Sequence, residues 1–483
     1  MKKLLFLIGI LSSGLYGASI DHIQTYSPDY LANQAQTGMI DEVSPYYNPA
    51  GLSRLDKGKY VHLGLQLANG HEKMSYKGKE HKAHLTQLIP NVSLTSVDDN
   101  GAYFFTFGGL AGGGKLEYDG VSGIDVLSDL AQFKPLGVYD KGSTLTGKNL
   151  YEQATLGRAF TVNDQLSISV AGRIVHGSRK LSGTLNIGTN PSTAYKQAKV
   201  QQVTQEVSKA VDAATQGSGL SAAQIAAIKQ QKTTQALTLL QTKMNALQQN
   251  GLSGDMDSKR EAWGYGFQIG VNYKVNDKLN LAARYDSRIK MNFKAKGSEN
   301  QLQTTDVIGS NIGLSTFYPQ YAINSKIRRD LPAILSVGAS YKVTDNYLVS
   351  TSANYYFNRH AKMDRVTTFG GHEHGRDYKN GWEIALGNEY KLNDKFTLIG
   401  SVNYARTGAK NSSFNDTEYA LNSVTLGAGL RYKYDDTLSI TGSVAHFIYD
   451  KEDGNFKEKY KVNENQKYHK EITAFGISLT KKF

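Results

Sequence analysis

Residues 263–275 read Trp263-Gly264-Tyr265-Gly266-Phe267-Gln268-Ile269-Gly270-Val271-Asn272-Tyr273-Lys274-Val275. Large apolar side chains occupy every odd position, and small or polar residues occupy every even position. Because successive side chains of a strand point to opposite faces, this pattern predicts a strand with one wholly apolar face. Such a long alternation, with aromatic residues near both ends, is typical of a tilted strand that crosses a lipid bilayer.

Short turns join alternating segments of this kind throughout the chain. They are rich in Asn, Asp and Gly, which tolerate the left-handed backbone that tight hairpins need. The connections at the other ends of these hairpins are long and variable, and this asymmetry is typical of outer-membrane barrels. The short turns are Asp98-Asp99-Asn100-Gly101, Asn163-Asp164, Asn276-Asp277, Asp345-Asn346, Asn393-Asp394 and Asp435-Asp436.

Segments that follow these rules number about fourteen, an even count that places both chain ends on the periplasmic side. We therefore predict an all-β fold, a transmembrane antiparallel up-and-down β-barrel over residues 58–483 in the outer membrane of a bacterium. The terminal Phe483, in an alternating last strand, supports this prediction. The predicted strands cover residues 58–69, 86–97, 101–111, 151–162, 165–184, 262–275, 278–296, 325–343, 346–363, 378–392, 395–409, 418–434, 437–451 and 467–483.

Composition excludes several other classes of protein. The mean hydropathy is −0.43, and no internal apolar run approaches the ~18 residues of a membrane-spanning helix. The chain has no Cys, which excludes disulfides and thiolate sites. The formal net charge is +12, and the basic residues are spread along the chain rather than clustered in one arm. This distribution favours anionic lipid and an anionic cargo over nucleic acid.

The N-terminal region has two parts. A basic start and the short apolar run from Leu4 to Leu11 predict a cleaved secretory signal over residues 1–18. Residues 19–57 are irregular and contain Ser44-Pro45-Tyr46-Tyr47-Asn48-Pro49-Ala50-Gly51-Leu52. Two prolines and a glycine exclude a regular helix or a central strand here. We interpret residues 19–57 as a plug in the barrel lumen that carries Asn48, Pro49 and Ala50.

Residues 190–250 differ from the rest of the chain, because they are rich in Gln, Ala and Lys and poor in strand formers. Ser221 is a candidate helix cap, and Leu240, Met244 and Leu247 follow at helical spacing. The sequence predicts an extracellular helical insertion. The alternative is a mobile polar loop with incidental helicity.

Several motifs, in chain order, resemble the FadL-type outer-membrane long-chain fatty-acid transporters. The resemblance implies passive uptake of long-chain fatty acids or related hydrophobic compounds by a monomer without a cofactor. In this family a plug in the lumen moves, and the cargo leaves sideways through the barrel wall. The motifs are Asn48-Pro49-Ala50, Ile89-Pro90-Asn91-Val92, Trp263-Gly264-Tyr265-Gly266 leading into Lys290-Met291-Asn292-Phe293-Lys294, Asp330-Leu331-Pro332 and Ile384-Ala385-Leu386-Gly387.

The resemblance also implies two apolar sites. The lateral opening of the family lies at a kinked third strand, which corresponds here to Phe107, Gly108 and Gly109. Glycine in a strand permits a bulge, although these glycines would also suit the end of a strand. The cargo would be captured in a groove between the third and fourth outer loops. The alternative is that the residues assigned to this groove only pack the helical insertion together. We assign the groove to Leu240, Met244, Leu247, Leu314, Phe317 and Tyr318.

A fatty-acid carboxylate needs a cation, and Arg can bind it bidentately. The alternation of side chains along the strands directs five basic residues into the lumen, where each could contact the carboxylate. For each of them, the alternative is an ordinary ion pair within the protein. The basic lumen residues of the family have no clear counterpart here, so a neutral hydrophobic cargo stays open. The candidates are Arg173, Arg179, Arg284, Arg288 and Lys379.

No catalytic pattern supports an enzyme, and we expect no metal or cofactor. His372-Glu373-His374 is too tightly spaced for the helical zinc motif, and no nucleophile elbow or phosphate loop is present. The alternative function is a surface adhesin that binds a host or surface protein through the 190–250 cap. A general aqueous porin is disfavoured by the plug. We expect outer-membrane lipid or lipopolysaccharide to surround the barrel.

Overall fold

The computed structural model of the protein describes residues 26–120, 122–130, 133–300, 315, 318–368, 372–374, 378–414 and 419–483. Fourteen antiparallel strands, numbered β1–β14, pair in chain order, and β14 returns to pair with β1. This closure confirms the predicted barrel. The strands are Gly58–Tyr76, Lys79–Asp98, Gly101–Tyr118, Thr144–Thr161, Leu166–Gly188, Leu252–Lys274, Leu279–Asp286 continued by Asn292–Glu299, Lys326–Arg328 continued by Ile334–Thr344, Tyr347–Tyr356, Gly381–Lys391, Phe396–Arg406, Ser423–Lys433, Leu438–Tyr449 and Lys467–Lys482.

The outer face of the barrel carries a band of exposed apolar side chains. On β6, Trp263 is 62% exposed and Tyr265 is 70% exposed, whereas the alternate polar positions Gln268 and Asn272 are buried inside. An apolar exterior over a polar interior is the arrangement that a closed sheet needs in lipid, where no water can satisfy the backbone. Period-two alternation therefore identified the face that contacts the membrane.

Several strands are longer than predicted, and the first outer connection is the clearest case. Strands β1 and β2 stay paired out to Tyr76 and Lys79, and only Lys77 and Gly78 form the turn. Both turn residues have positive φ, 51° and 78°, which suits a two-residue hairpin. The prediction of a loop over residues 70–85 was wrong, because the outward side chains become polar there while the backbone pairing continues.

Two strands are interrupted where continuous strands were predicted. Strand β7 breaks over residues 287–291, and β8 breaks over residues 329–333. The bridge between Ile289 and Leu331 joins the two interruptions. Because the alternation of inward and outward side chains restarts after such a break, predictions that extend parity across it fail.

The remaining elements lie in the N-terminal segment and the outer loops. None of the described helices is long and apolar enough to cross a membrane. The α-helices α1–α6 are Pro28–Ala32, Ser44–Tyr47, Ser122–Leu127, Thr193–Thr215, Ala222–Asn250 and Phe456–Tyr460. The 3-10 helices are Pro49–Arg54, Lys134–Leu136, Pro319–Tyr321, Asn358–His360 and Asn411–Ser413. Two short strands, Tyr139–Asp140 and Glu452–Asp453, pair with the outer ends of β5 and β14, and Val366–Thr368 pairs with His372–His374 in a separate small sheet.

The insertion between β5 and β6 is a helical hairpin formed by α4 and α5. Each helix begins at a serine cap, and the Gln224 N–H donates to Ser221 Oγ at 3.3 Å in a reciprocal capping box. The sequence signal of this insertion, a serine before an amphipathic run, therefore marked the start of α5 correctly.

Residues 26–55 lie inside the barrel, and most of them are buried. The predicted signal, residues 1–18, and residues 19–25 fall outside the described part of the chain. Glycines in the barrel strands allow the backbone of residues 26–55 to approach the wall closely. A Cβ on Gly387 would lie 1.9 Å from Asn33 Oδ1, and one on Gly338 would lie 2.6 Å from the Gly38 backbone nitrogen. The small inward residues of these strands thus make room for the segment.

Candidate functional site

The wall of the barrel is broken between β2 and β3. Pairing runs regularly from Asp98↔Gly101 to Asn91↔Gly108 and resumes at Thr86↔Lys115. Between these pairs, residues 87–90 of β2 face residues 109–114 of β3, so the third strand carries two additional residues. Backbone groups in such a bulged stretch lack their regular cross-strand hydrogen bonds, and the strand bends.

The two additional residues of β3 also shift its register against β4, its neighbour on the other side. Against β4, the register shifts once between Gly109 and Ala111 and again between Ala111 and Gly114. Gly114 has φ +69°, a left-handed conformation that favours glycine. On the opposite strand, Pro90 has no N–H to donate. Glycines on one strand and a proline on its neighbour therefore weaken the wall at one place, which includes the predicted Gly109.

Tyrosines of the N-terminal segment cover this break from inside. The Tyr46 hydroxyl accepts a 3.0 Å hydrogen bond from Asn91 Nδ2, and Asn91 is the paired residue of β2 next to the break. The Tyr46 ring lies 6.0 Å from that of Tyr47 and 6.1 Å from that of Tyr26. These rings share one buried apolar cluster with Leu110 of the broken stretch. The segment and the break are therefore in direct contact.

Hydrogen bonds also attach the segment to strands around the lumen. Asn48 Nδ2 donates to Asn272 Oδ1 on β6 at 2.8 Å, while Ser340 on β8 donates to the Gly38 carbonyl at 2.8 Å. Ala50 accepts a 2.8 Å hydrogen bond from Ser167 on β5. The predicted plug residues Asn48, Pro49 and Ala50 are all buried. Further contacts of this kind involve Asn280, Ser350, Ser352, Ser401 and Ser443.

Two of the predicted carboxylate contacts are ion-paired beneath the segment. Asp286 Oδ1 lies 3.1 Å from Arg173 Nη1, and Asp286 Oδ2 lies 3.0 Å from Arg284 Nε. Gln268 adds a 2.8 Å hydrogen bond to the carboxylate, and Arg284 also donates to the Tyr46 carbonyl. All three charged groups are buried. The network thus ties β5, β7 and the N-terminal segment together.

The other three candidates have different surroundings. Arg179 is buried on β5, directly opposite Arg260 of β6. Arg288 lies in the interruption of β7, where its side chain is 47% exposed and donates to the His360 carbonyl at 2.9 Å. Lys379 is exposed and precedes β10. The lumen assignment was therefore wrong for Arg288, whose parity changes at the strand break, and for Lys379, which lies in an outer loop.

The predicted capture residues form a buried cluster at the outer end of the barrel. Met244, Leu247 and Tyr318 are 6%, 6% and 3% exposed, and Leu240 packs against the same cluster. They form the core of the cap and do not line an open groove. The other two members of the set, Leu314 and Phe317, lie outside the described residues. A separate apolar groove of about 520 Å³ between α4 and α5 is exposed beside Leu239.

The periplasmic end of the lumen is polar. A cavity of about 770 Å³ lies below the segment among the short turns. Its lining includes Glu42, Arg54, Lys391 and Arg431. Near this mouth, loss of hydration and then the neighbouring Glu42 raise the pKa of Asp41 to about 7. An apolar molecule that moved along the barrel axis would meet first the packed segment and then this charged cavity.

Residues 141–483 match the family described as "Outer membrane protein transport protein (OMPP1/FadL/TodX)". The chain belongs to this family. It is 24% identical over 337 residues to outer membrane protein P1 of Haemophilus influenzae, covering 66% of this chain and 64% of that protein. It is 21% identical over 275 residues to the long-chain fatty acid transport protein of Escherichia coli O157:H7, covering 56% of this chain and 58% of that protein.

Solved structures with the same fold cover nearly the whole chain. The FadL homologue of Pseudomonas aeruginosa has a TM-score of 0.63 at 15% identity, covering 95% of this chain and 99% of that one. The Pseudomonas putida toluene transporter TodX has a TM-score of 0.61 at 16% identity, covering 97% and 99%. As a member of this family, the chain is a bacterial outer-membrane transport protein and not an enzyme, as predicted.

Sequence reasoning missed several residues of the site in this family member. Arg260 continues the inward parity of β6, but the predicted strand began at residue 262. Its guanidinium lies 4.4 Å from the centre of the Tyr321 ring. The tyrosine cluster of the N-terminal segment was visible in the sequence only as a concentration of aromatic residues. The role of Asn91 depends on the cross-strand register, for which the sequence carries no direct signal.

Proposed function

We propose that the protein takes up long-chain fatty acids or related hydrophobic compounds passively and releases them sideways into the membrane between β2 and β3. One observation carries this proposal. The wall is broken at the place where the buried tyrosines of the N-terminal segment contact it, through Asn91 and Leu110. Movement of the segment would open a path to lipid, whereas the axial path ends in a charged cavity.

The energetics favour the lateral path for an apolar cargo. Each methylene group that leaves water for an apolar surrounding gains about 0.8 kcal/mol. A long alkyl chain that left through the periplasmic cavity would lose this gain among charged side chains. A cargo that passed from the apolar cluster around Leu110 directly into lipid would keep it. Passive transfer therefore needs no energy source beyond partition of the cargo.

The buried arginine network bears on the chemical class of the cargo. Arg173 and Arg284 already bind Asp286, so neither offers its charge to a carboxylate without breaking an internal ion pair. We therefore propose that the apolar body of the cargo, rather than its carboxylate, dominates recognition.

A fatty acid and its methyl ester are expected to bind the purified barrel with affinities that differ by less than about tenfold. Loss of a charge-assisted contact would cost about 1.5–3 kcal/mol, which is more than tenfold, and the proposal requires no such contact. Competition against a labelled fatty acid in detergent measures both. Failure of the ester to compete would show that a carboxylate contact is required and would direct attention to Arg179. Absence of saturable binding for the acid, the ester and a neutral aromatic compound would contradict the transport function itself.

Movement of the N-terminal segment is tested by a disulfide lock, for which a chain without native Cys is well suited. A Cβ built on Gly270 lies 3.6 Å from Ala50 Cβ, within the range of disulfides, and only the small Ser169 side chain must turn aside. The variant Ala50→Cys/Gly270→Cys is expected to lose uptake when oxidised and to regain it after reduction.

The two single-cysteine variants are the matched controls, and both should take up cargo with or without reductant. Formation of the disulfide is read from its mobility on a non-reducing gel. Full uptake by the oxidised double variant would show that the Asn48-Pro49-Ala50 region stays in place during transport, and the proposed release step would have to be abandoned.

A further inference from the structure

A row of lysines crosses the outer part of the barrel wall. The cross-strand register places them directly opposite one another on five consecutive strands, from β3 to β7. Neighbouring strands are about 4.8 Å apart, so the row spans about 19 Å. Its members are Lys115, Lys148, Lys180, Lys259 and Lys296.

The row lies on the outward face, beyond the aromatic residues that mark the edge of the apolar band. On β6, Lys259 has the same parity as Trp263 and Tyr265, and lies four residues nearer the outer loops than Trp263. Lys148 and Lys296 are exposed as well. Because aromatic girdles sit at the level of the lipid headgroups, the row lies in or just above the headgroup layer of the outer leaflet.

Acidic neighbours balance only part of this charge. Lys115 pairs with Glu117, Lys180 lies 2.9 Å from Asp257, and Lys259 lies 2.6 Å from Glu261. Lys148 and Lys296 take part in none of the ion pairs found within the described residues. Like charges directly opposite each other on neighbouring strands destabilise a sheet. A row of five therefore calls for an anionic partner on this face.

We propose that this lysine row binds the phosphorylated headgroups of the outer leaflet, that is, the phosphates of lipopolysaccharide. Lysine carries a point charge on a flexible side chain. A row of such side chains can therefore follow phosphates at variable positions, which a rigid ligand pocket cannot do. Juxtamembrane lysines gain energy from an anionic lipid surface. The row begins at Lys115, immediately after Gly114 of the wall break. Bound headgroups would thus order the lipid beside the proposed exit without taking part in cargo binding.

The test compares binding of lipid A to the purified barrel in neutral detergent micelles, for the wild type and for Lys148→Glu/Lys296→Glu. The matched control is Lys278→Glu/Lys342→Glu, which makes the same change of charge at exposed positions near the short turns. Affinity for lipid A should fall by at least about tenfold in the first variant and stay unchanged in the control. Salt should weaken wild-type binding.

Two further arms identify the source of the anion. Dephosphorylated lipid A should bind the wild type weakly, and millimolar inorganic phosphate should fail to displace lipid A. Equal affinity of both lysine variants for lipid A, or equal binding of the dephosphorylated lipid, would overturn the proposal. Displacement by inorganic phosphate would overturn it too, because the site would then recognise a free anion. Saturable fatty-acid binding, measured on the same samples, confirms that the variants are folded and keeps this result separate from the transport function.

Discussion

Replacement of Asp286 by alanine is expected to lower the free energy of unfolding by about 3–5 kcal/mol, the cost of breaking a buried ion pair by removing one partner. Asp286 is the shared partner of Arg173 and Arg284, and its carboxylate is 1% exposed. Its loss would leave two guanidinium groups in the lumen without that carboxylate. The effect should exceed that of any surface charge.

Guanidinium unfolding in micelles, followed by the gel mobility of the folded barrel, measures this change. The control is Asp277→Ala, which removes an almost fully exposed partner of Lys274 in a short turn. Exposed pairs contribute about 0–1 kcal/mol, so the control should differ little from the wild type. A loss below about 1 kcal/mol for Asp286→Ala would show that water or another group replaces the carboxylate.

The same substitution also affects the N-terminal segment. Arg284 donates to the Tyr46 carbonyl while Asp286 holds its Nε. Without Asp286, the guanidinium is free to turn away, and the segment loses one of its attachments near the wall break. Protease cleavage within residues 26–55 should therefore become faster in Asp286→Ala, even under conditions where the barrel itself remains folded.

The sequence was sufficient to predict the barrel because transmembrane strands obey a simple alternation. Trp263 and Tyr265 face lipid, and Gln268 and Asn272 face the lumen, as parity requires. Above the membrane the alternation disappears, since outward residues such as His71 and Lys73 are polar as well. The hydrophobic pattern therefore does not reveal that β1 and β2 stay paired to Tyr76.

The candidate site was predicted less completely, because it depends on contacts between distant strands. Gly108 and Gly109 indicated a weak third strand, but the break is defined by the register of β2 against β3. Parity placed Arg173 and Arg284 inward correctly, yet it could not show that Asp286 binds both. Arg288 was misplaced because the first part of its strand ends at Asp286, two residues before it.

The second large effect is expected from closing the wall. Strand β3 carries two more residues than β2 and two more than β4 across the break, so deletion of Gly112 and Gly113 restores a continuous register on both sides. The ladder would then run without a gap from Gly101 to Tyr118. Because lipid-exposed backbone must be fully paired, the closed wall should also be at least as stable as the native one.

The matched control deletes Gly217 and Ser218 from the turn between α4 and α5, which removes two residues outside the barrel. Both variants should bind a labelled fatty acid, since neither deletion removes an apolar side chain. The variants differ only in the wall, so a difference in uptake between them reports the route of the cargo.

The most direct test of lateral release is therefore the rate at which labelled fatty acid crosses the outer membrane of cells that carry the Gly112–Gly113 deletion, compared with its equilibrium binding to the same protein. Lateral release predicts uptake at the rate of cells without the protein, together with retained binding and normal uptake by the Gly217–Ser218 control. Uptake at the wild-type rate through a closed wall would contradict it and would place the exit along the barrel axis.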